Sequence, residues 1–161
     1  MKVLMWAFPI VLLMTLVLVY QEDFNQLHRQ TMRLKFHIQE AAAAAAQYIE
    51  LEDYGQGRMV FNQVEAVRAA EYVLQRNLHL NDDFSPDKHS YWQETVRYEI
   101  EFYDESNTSF PYLYEHDSNY FTLLLTDPTV IVTVDAGPSR LRLWNDSQGI
   151  VRTGAHTWQE R

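Results

Sequence analysis

An uncharged apolar run near the start of the chain restricts how it can fold. The run, VLMWAFPIVLLMTLVLVY, covers residues 3–20 and contains no acidic or basic side chain. A helix of that length extends about 27 Å, which matches a bilayer core of about 30 Å. Pro9 lies inside the run, where a membrane helix tolerates proline. We therefore expect residues 1–20 to form a transmembrane signal anchor.

The alternative interpretation of this run is a cleaved signal peptide. Cleavage requires small residues in an A-x-A-like pattern after the apolar segment. The run ends LVLVYQEDF, and bulky or charged residues occupy the candidate positions, which favours an uncleaved anchor. Lys2 precedes the run, and Glu22 and Asp23 follow it. The positive-inside rule then predicts a single-pass protein of the cell membrane, with a cytoplasmic N-terminus and an extracytoplasmic body.

Residues 21–54 continue the helical pattern beyond the run. There is no glycine or proline between residues 10 and 54, so we expect one helix to extend from the membrane to Gly55 as a stalk. Apolar and small residues recur along it at alternating spacings of three and four, which is typical of a heptad seam. The predicted helix-packing interface consists of Phe24, Leu27, Leu34, Ile38, Ala41, Ala42 and Ala45.

Six consecutive alanines, residues 41–46, lie at the end of this seam. Alanine is the strongest helix former, and its small side chain also lets another surface approach the helix closely. Two kinds of partner remain open for this segment. One is a helix of another subunit, including a second copy in a homo-oligomer, and the other is the chain's own body folded against the helix. Both interpretations require the alanines to be covered.

Residues 55–161 are expected to form an extracytoplasmic head. Asn62 and Glu65 form the pattern of a capping box, which opens a second helix that ends near Asn77. The predicted apolar face of this helix is Val64, Val67, Ala70, Val73, Leu74 and Leu78. Strands are predicted at residues 96–102, 120–126, 129–135 and 140–144, with a short strand near 150–153. Helices followed by a block of strands indicate an α+β fold with a small antiparallel sheet of three to five strands.

The motifs of common enzymes are absent from the sequence. It contains no H-E-x-x-H, no P-loop, no G-x-G-x-x-G and no G-x-S-x-G, and it has no cysteine. We therefore expect no catalytic site and no cofactor. Asp82, Asp83 and Asp87 crowd into one loop and offer oxygen ligands of the kind that calcium prefers. The EF-hand pattern is missing, so a solvated acidic loop without metal is the favoured interpretation.

The charge distribution bears on two kinds of partner, nucleic acid and the lipid headgroups. The net charge of −9 and the lack of a basic patch argue against nucleic acid. The stalk carries a mixed basic collar of His28, Arg29, Arg33, Lys35 and His37. A solvated helix face near lipid headgroups is favoured there over a ligand site. In the head, PYLYEHDSNY is the favoured contact loop, with Tyr112, Tyr114 and His116 as candidate contact residues, because aromatic side chains often anchor protein interfaces.

The overall arrangement resembles pilins and pseudopilins. In those proteins, as expected in this chain, an N-terminal apolar helix continues without a break into an amphipathic helix and then into a small head that carries a sheet. The segment AFPIVLLMTLVLVYQEDF is similar to the membrane segment of TadE-like minor pilin proteins of tight-adherence pili. The resemblance covers about the first 50 residues in pattern and the rest in outline. It implies a minor or accessory subunit of a pilus or secretion machine, with pilin-like or other membrane-helix subunits as partners.

The competing hypothesis is a binding module. In that interpretation the chain is a single-pass extracytoplasmic receptor or sensor, and the tyrosine-rich loop is its contact site. An enzyme on a membrane tether is the third possibility, and no motif supports it.

Overall fold

The protein has an α+β fold, in a computed structural model that describes residues 2–116, 121–139, 141 and 149–158. Its helices are α1 (Lys2–Ala45), α2 (Leu51–Tyr54) and α3 (Gln63–Leu78). Its strands are β1 (Arg97–Tyr103), β2 (Tyr112–His116), β3 (Phe121–Leu125), β4 (Thr129–Asp135) and β5 (Val151–Thr157). The predicted class, a long N-terminal helix followed by a second helix and antiparallel strands, is confirmed.

The long helix α1 has 44 residues and extends about 66 Å. The prediction that it continues to Gly55 is wrong, because the helix ends at Ala45. Hydrogen bonds to a later segment take over at this point: the amide of Glu50 donates to the carbonyl of Val60 at 2.9 Å, and the amide of Asn62 donates to the carbonyl of Tyr48 at 3.0 Å. Tertiary pairing thus ends a helix in a stretch that contains no glycine or proline.

The second predicted helix is α3, and its start matches the sequence pattern. The side chain of Asn62 accepts a hydrogen bond from the amide of Glu65 at 3.1 Å, as expected of an N-cap. The helix ends at Leu78 and is followed by His79 in the left-handed conformation, with φ at 56°. The predicted apolar face is partly wrong: Val64 is 70% exposed. The fully buried row is instead Ala66, Ala70, Leu74 and Leu78.

Helix α3 runs antiparallel to α1 and packs on its second half. Near the start of α3, Glu65 and Arg68 lie beside Ala44. Near its end, the side-chain amide of Asn77 donates to Glu40 at 2.7 Å. The two helices therefore form one layer, and the N-terminal half of α1 extends beyond it.

The main sheet has the strand order β1-β4-β5, and all of its pairs are antiparallel. The central strand β4 is buried on both faces, which explains its nearly continuous apolar sequence TVIVTV. Its alternate residues Val130, Val132 and Val134 join the core beneath the helices. Ile131 points to the other side and joins a second core with Tyr114 and Leu125 of the β2–β3 hairpin. The head thus has three layers, with the helices on one side of the sheet and the hairpin on the other.

The predicted strands agree with the structure in part. The strand expected at 129–135 is confirmed as β4, and β1 and β3 lie within a residue or two of their predicted positions. The strand expected near 150–153 is longer and continues to Thr157 as β5. Strand β2 lies in a stretch where no strand was predicted. The strand expected at 140–144 lies outside the described residues, apart from residue 141.

Candidate functional site

The N-terminal half of α1 carries a large exposed apolar surface. Trp6 and Phe8 are 73% and 74% exposed, and Leu18 is still 65% exposed. Within the described residues, one helix, Trp6–Ala45, is long and apolar enough to cross a membrane by its length and composition. A contiguous apolar surface of this size marks a contact with lipid or with another protein.

The predicted helix-packing interface divides between this exposed half and the head. Five of its residues are completely buried inside the chain's own head: Leu34, Ile38, Ala41, Ala42 and Ala45. Leu27 is partly buried against the same core, and Phe24 stays 58% exposed. Of the two partners that the sequence left open for the alanines, the structure places the chain's own α3 and sheet against them. Apolar residues at spacings of three and four indicate that one face of a helix is buried, but they do not identify the surface that covers it.

The predicted contact loop is a strand over Tyr112–His116, so its description as a loop is wrong for these residues. Tyr112 is 42% exposed, whereas Tyr114 is only 4% exposed and belongs to the second core. His116 is half-buried, with its ring 6.5 Å from that of Tyr114. The rest of the predicted loop, residues 117–120, lies outside the described residues. Tyr112 alone therefore remains as an exposed aromatic contact candidate from this group.

The tyrosines around the hairpin meet one carboxylate. The hydroxyl of Tyr114 donates to Glu101 Oε2 at 2.5 Å, and the hydroxyl of Tyr103 donates to Glu101 Oε1 at 3.0 Å. Burial, together with these bonds to Glu101, raises the pKa of both phenols well above their usual value. These groups hold the hairpin to the sheet, and neutral phenols bonded to a carboxylate are expected of a structural contact.

The acidic loop uses its carboxylates to bond its own backbone. Asp83 accepts hydrogen bonds from the amide and the hydroxyl of Ser85, at 3.0 and 2.5 Å, and these bonds lower the pKa of Asp83. Asp87 accepts from the amides of His89 and Ser90, at 2.5 and 3.0 Å. Across the described chain, no group of three or more histidine, aspartate or glutamate side chains is arranged to hold a metal ion.

A cleft of 740 Å³ opens where the end of α3 meets α1. Its polar wall is formed by Arg33 and His37 of α1, Arg76 of α3, the helix cap His79 and the loop residue His89. We name this feature the basic cleft. Leu34, Leu78 and Trp92 provide an apolar part of its lining, and all three are buried. No acidic side chain is among the described residues that line it.

The two arginines of the basic cleft form few hydrogen bonds and no ion pairs with described residues. Arg33 forms no hydrogen bond or ion pair with described residues. Arg76 donates from Nη1 to the hydroxyl of Tyr72 at 2.8 Å, which leaves its charge unpaired by any carboxylate in the described chain. Glu40 stands at the edge, where its Oε2 lies 3.3 Å from His37 Nδ1. The cleft thus concentrates positive charge on a protein whose net charge is −9.

Sequence reasoning did not find this cleft, because its basic residues come from three separate segments. The collar on the stalk did include Arg33 and His37. The antiparallel placement of α3 then brings Arg76 and His79 to the same level of α1, which no spacing in the sequence reveals. A basic residue in the last turn of α3 was a partial signal, although it is also what the helix dipole favours there.

Two surfaces therefore stand as candidate functional sites on the described residues. One is the exposed apolar half of α1, and the other is the basic cleft. The first suits a lipid or a second helix, and the second suits an anion. Comparison with known protein families, curated proteins and solved structures finds no match to this chain.

Proposed function

We propose that the protein is a membrane-anchored, pilin-like subunit of a pilus-type or secretion-type assembly. It acts as a structural or accessory component, through helix packing and protein contacts rather than through catalysis. Its anchor is the N-terminal half of α1, and its head lies on the extracytoplasmic side of the cell membrane. Its partners are the membrane and other pilin-like or membrane-helix subunits, and a homo-oligomer is one form that the assembly can take.

The observation that carries the proposal is the continuity of α1 from an exposed apolar half into the core of the head. Burying a large apolar side chain such as Leu12 or Leu16 stabilises by about 1.5–3 kcal/mol, and many such residues follow one another here. A bilayer would bury them all. The same helix then continues into the head, where Leu34 and Ile38 are fully buried, so the head sits on its anchor without a flexible linker.

A cytoplasmic N-terminus and an extracytoplasmic head are also part of the proposal. Lys2, which precedes the apolar run, favours this orientation. Arg29, Arg33 and Lys35 follow the run within 15 residues, so the count of basic residues near the two ends does not add support. Arg29 Nη2 donates to Glu22 Oε1 at 3.1 Å, so one of these three charges is paired.

The burial of the alanine segment moves the proposed assembly surface toward the N-terminus. Because Ala41, Ala42 and Ala45 are covered by the head, they leave no surface for another subunit. The apolar residues between Trp6 and Phe24 remain available. Packing between membrane helices relies on van der Waals contact, so a partner helix would lie along this half within the bilayer.

Single cysteines test the proposal cleanly, because the chain has none of its own. Leu12→Cys, Leu16→Cys and Phe24→Cys report on the anchor half, and Tyr72→Cys, exposed on the head, serves as the control. In native membranes we expect crosslinking into adducts with another membrane helix on one face of the anchor. The mass of each adduct distinguishes a second copy from a different subunit. A chain that stays monomeric at all anchor positions, or that alkaline carbonate extracts from the membrane, would overturn the proposal.

A second candidate function is a single-pass extracytoplasmic binding protein. The basic cleft favours it, because a lined cavity with unpaired guanidinium groups is a feature of ligand sites and is not needed for helix packing. Variants that abolish ligand binding in the cleft but leave the anchor adducts unchanged would separate the two functions.

A further inference from the structure

We infer that the basic cleft binds a phosphate-bearing anion. Five positive or protonatable groups surround it: Arg33, His37, Arg76, His79 and His89. They come from α1, α3 and the loop after α3. Arg33 and His37 lie on the stalk part of α1 and the other three lie in the head, so none belongs to the proposed anchor. The binding of an anion therefore does not rest on the proposed function, whereas the assignment to a soluble phosphate does.

The charge distribution is the first argument. Like charges gathered in one place repel one another, and none of the described residues that line the cleft is acidic. Two carboxylates stand beside lining residues: Glu40 beside His37, and Asp87, which accepts a hydrogen bond from the backbone amide of His89 at 2.5 Å. Glu40 already accepts from Asn77 at 2.7 Å and lies against His37. An anion in the cleft would supply the missing counter-charge to Arg33 and Arg76.

The position of the basic groups is the second argument. Cations at a helix C-terminus offset the helix dipole, and this alone accounts for Arg76 and His79. It does not account for Arg33 and His37, which lie within α1, or for His89, which lies in a loop. Three chain segments therefore contribute basic side chains to the lining of one cavity.

Donor geometry and volume define the ligand class. A guanidinium group offers paired N–H donors that match phosphate oxygens, and imidazoles add single donors. Two arginines and three histidines exceed what one carboxylate can accept, whereas a phosphate presents more oxygens and up to two negative charges. The rings of His79 and His89, both among the lining residues, lie 6.3 Å apart, centre to centre. The volume of 740 Å³ also leaves room beside Tyr91 and Trp92 for an organic group.

The source of the phosphate is constrained by distance. If α1 is anchored as proposed, Arg33 lies about 20 Å along the helix beyond Tyr20, at 1.5 Å per residue. Each headgroup layer is only about 5–8 Å thick, so bilayer phosphates do not reach the cleft when the helix stands upright. A phosphate that is free in solution or carried on a soluble molecule is therefore the expected ligand.

The test is a titration of the full-length protein with inorganic phosphate, in a maltoside detergent that itself contains no phosphate. Binding is followed by calorimetry. We expect saturable binding that Arg33→Gln and Arg76→Gln each weaken at least tenfold. The matched controls are Arg29→Gln on α1 and Arg68→Gln on α3, whose side chains pair with Glu22 and Glu65 outside the cleft. Each control removes the same charge from the same helix.

Three results would overturn the inference. These are no saturable binding to the unmodified protein, equal weakening by the cleft variants and their controls, and unchanged binding in the double variant Arg33→Gln, Arg76→Gln. Both arginines are exposed, so folding of the variants is expected to be intact, and circular dichroism checks it.

A second arm distinguishes the sources of phosphate. The same titration is repeated in nanodiscs of phosphatidylcholine with and without phosphatidylglycerol. Equal phosphate affinity in both discs is expected for a soluble ligand. Loss of phosphate binding in the phosphatidylglycerol discs alone would show that headgroups fill the cleft, and would overturn the assignment to a soluble phosphate.

Discussion

Gly154 of β5 lies directly against Ile38 of α1. A Cβ atom built on Gly154 would stand 2.9 Å from Cγ2 of Ile38 and 3.2 Å from the backbone nitrogen of Gln39. Real side chains almost never tolerate the first of these distances. The edge strand of the sheet therefore approaches the long helix as closely as it does because residue 154 has no side chain.

The first prediction concerns this contact. Gly154→Ala forces either Ile38 or the backbone of α1 to move, and overpacking of this kind costs about 1–3 kcal/mol. The free energy of unfolding, measured with urea, should fall by that amount. Gly55→Ala is the matched control, because its φ is −62° and its new Cβ would meet its nearest neighbour at an ordinary 3.4 Å. An equal loss of stability in both variants would contradict the role of the contact.

The second prediction tests the reason for the alanines. Ala42 is fully buried where α1 meets the rest of the head, whereas its neighbour Ala43 is only half-buried. Ala42→Leu should separate the packed layers and cost about 1–3 kcal/mol, because the core has no room for the added carbons. Ala43→Leu adds the same atoms to the same helix and should cost clearly less. Both are measured as differences in urea unfolding. Similar values for the two variants would mean that helix propensity alone explains the alanine run.

The third prediction concerns the buried carboxylate of Asp104. It accepts hydrogen bonds from the amide of Phe61 at 3.1 Å and from the amide and hydroxyl of Ser106 at 2.9 and 2.5 Å. Asp104→Ala leaves the buried amide of Phe61 without its partner, and we expect a loss of about 1.5–3 kcal/mol. Thermal unfolding of the variant measures this loss. Asp53→Ala breaks the exposed pair with Arg58 and should cost less than about 1 kcal/mol.

The fourth prediction concerns alkaline pH. Burial, together with a hydrogen bond to Glu71, raises the pKa of Tyr98 to about 12. The folded protein then keeps a proton that the unfolded chain releases near pH 10, so the contribution of Tyr98 to stability is complete below about pH 10 and is lost between about pH 10 and 12. The pKa values of Tyr103 and Tyr114 are raised for similar reasons and add to this loss.

Chemical unfolding at several pH values checks this behaviour. The urea midpoint should decline as the pH rises above 10, and Tyr98→Phe should make that decline shallower. Glu71→Gln should also reduce it, because it removes the charge beside the phenol. A midpoint that stays constant across this range in the unmodified protein would contradict the prediction.

The fold class was predictable because its signals are local. The alternation of Tyr98, Ile100 and Phe102 with charged residues marks a strand with one buried face, and these three side chains do pack on the core beneath the helices. The cap formed by Asn62 is equally local and fixes the start of α3. Each of these features depends on a few neighbouring residues and on the period of a helix or a strand.

The features that were missed depend on distant partners. The end of α1 at Ala45 requires residues 60–62 to pair with residues 48–50. The identity of the surface that covers Ala41 and Ala42 depends on where α3 and the sheet lie, and the basic cleft depends on the same packing. Periodicity says that a face is buried, and only the tertiary arrangement says by what.

The last prediction separates the anchor from the head. The described side chains from Trp6 to Leu18 are exposed, whereas Asp23 is only 1% exposed and Leu27 packs against the core. A chain that begins at Gln21 should therefore keep the circular dichroism of the head and lose less than about 1 kcal/mol of stability, because it gives up few internal contacts. It should also no longer sediment with membranes.

The matched control is a chain that begins at Thr31, which also removes Asp23 and Leu27. Since it gives up side chains that the head buries, its unfolding midpoint should be clearly lower than that of the chain that begins at Gln21. If the chain that begins at Gln21 is unfolded, the prediction is wrong and the apolar half of α1 stabilises the head. A chain from Gln21 that still sediments with membranes would instead place the membrane contact on the head, because its apolar run is gone.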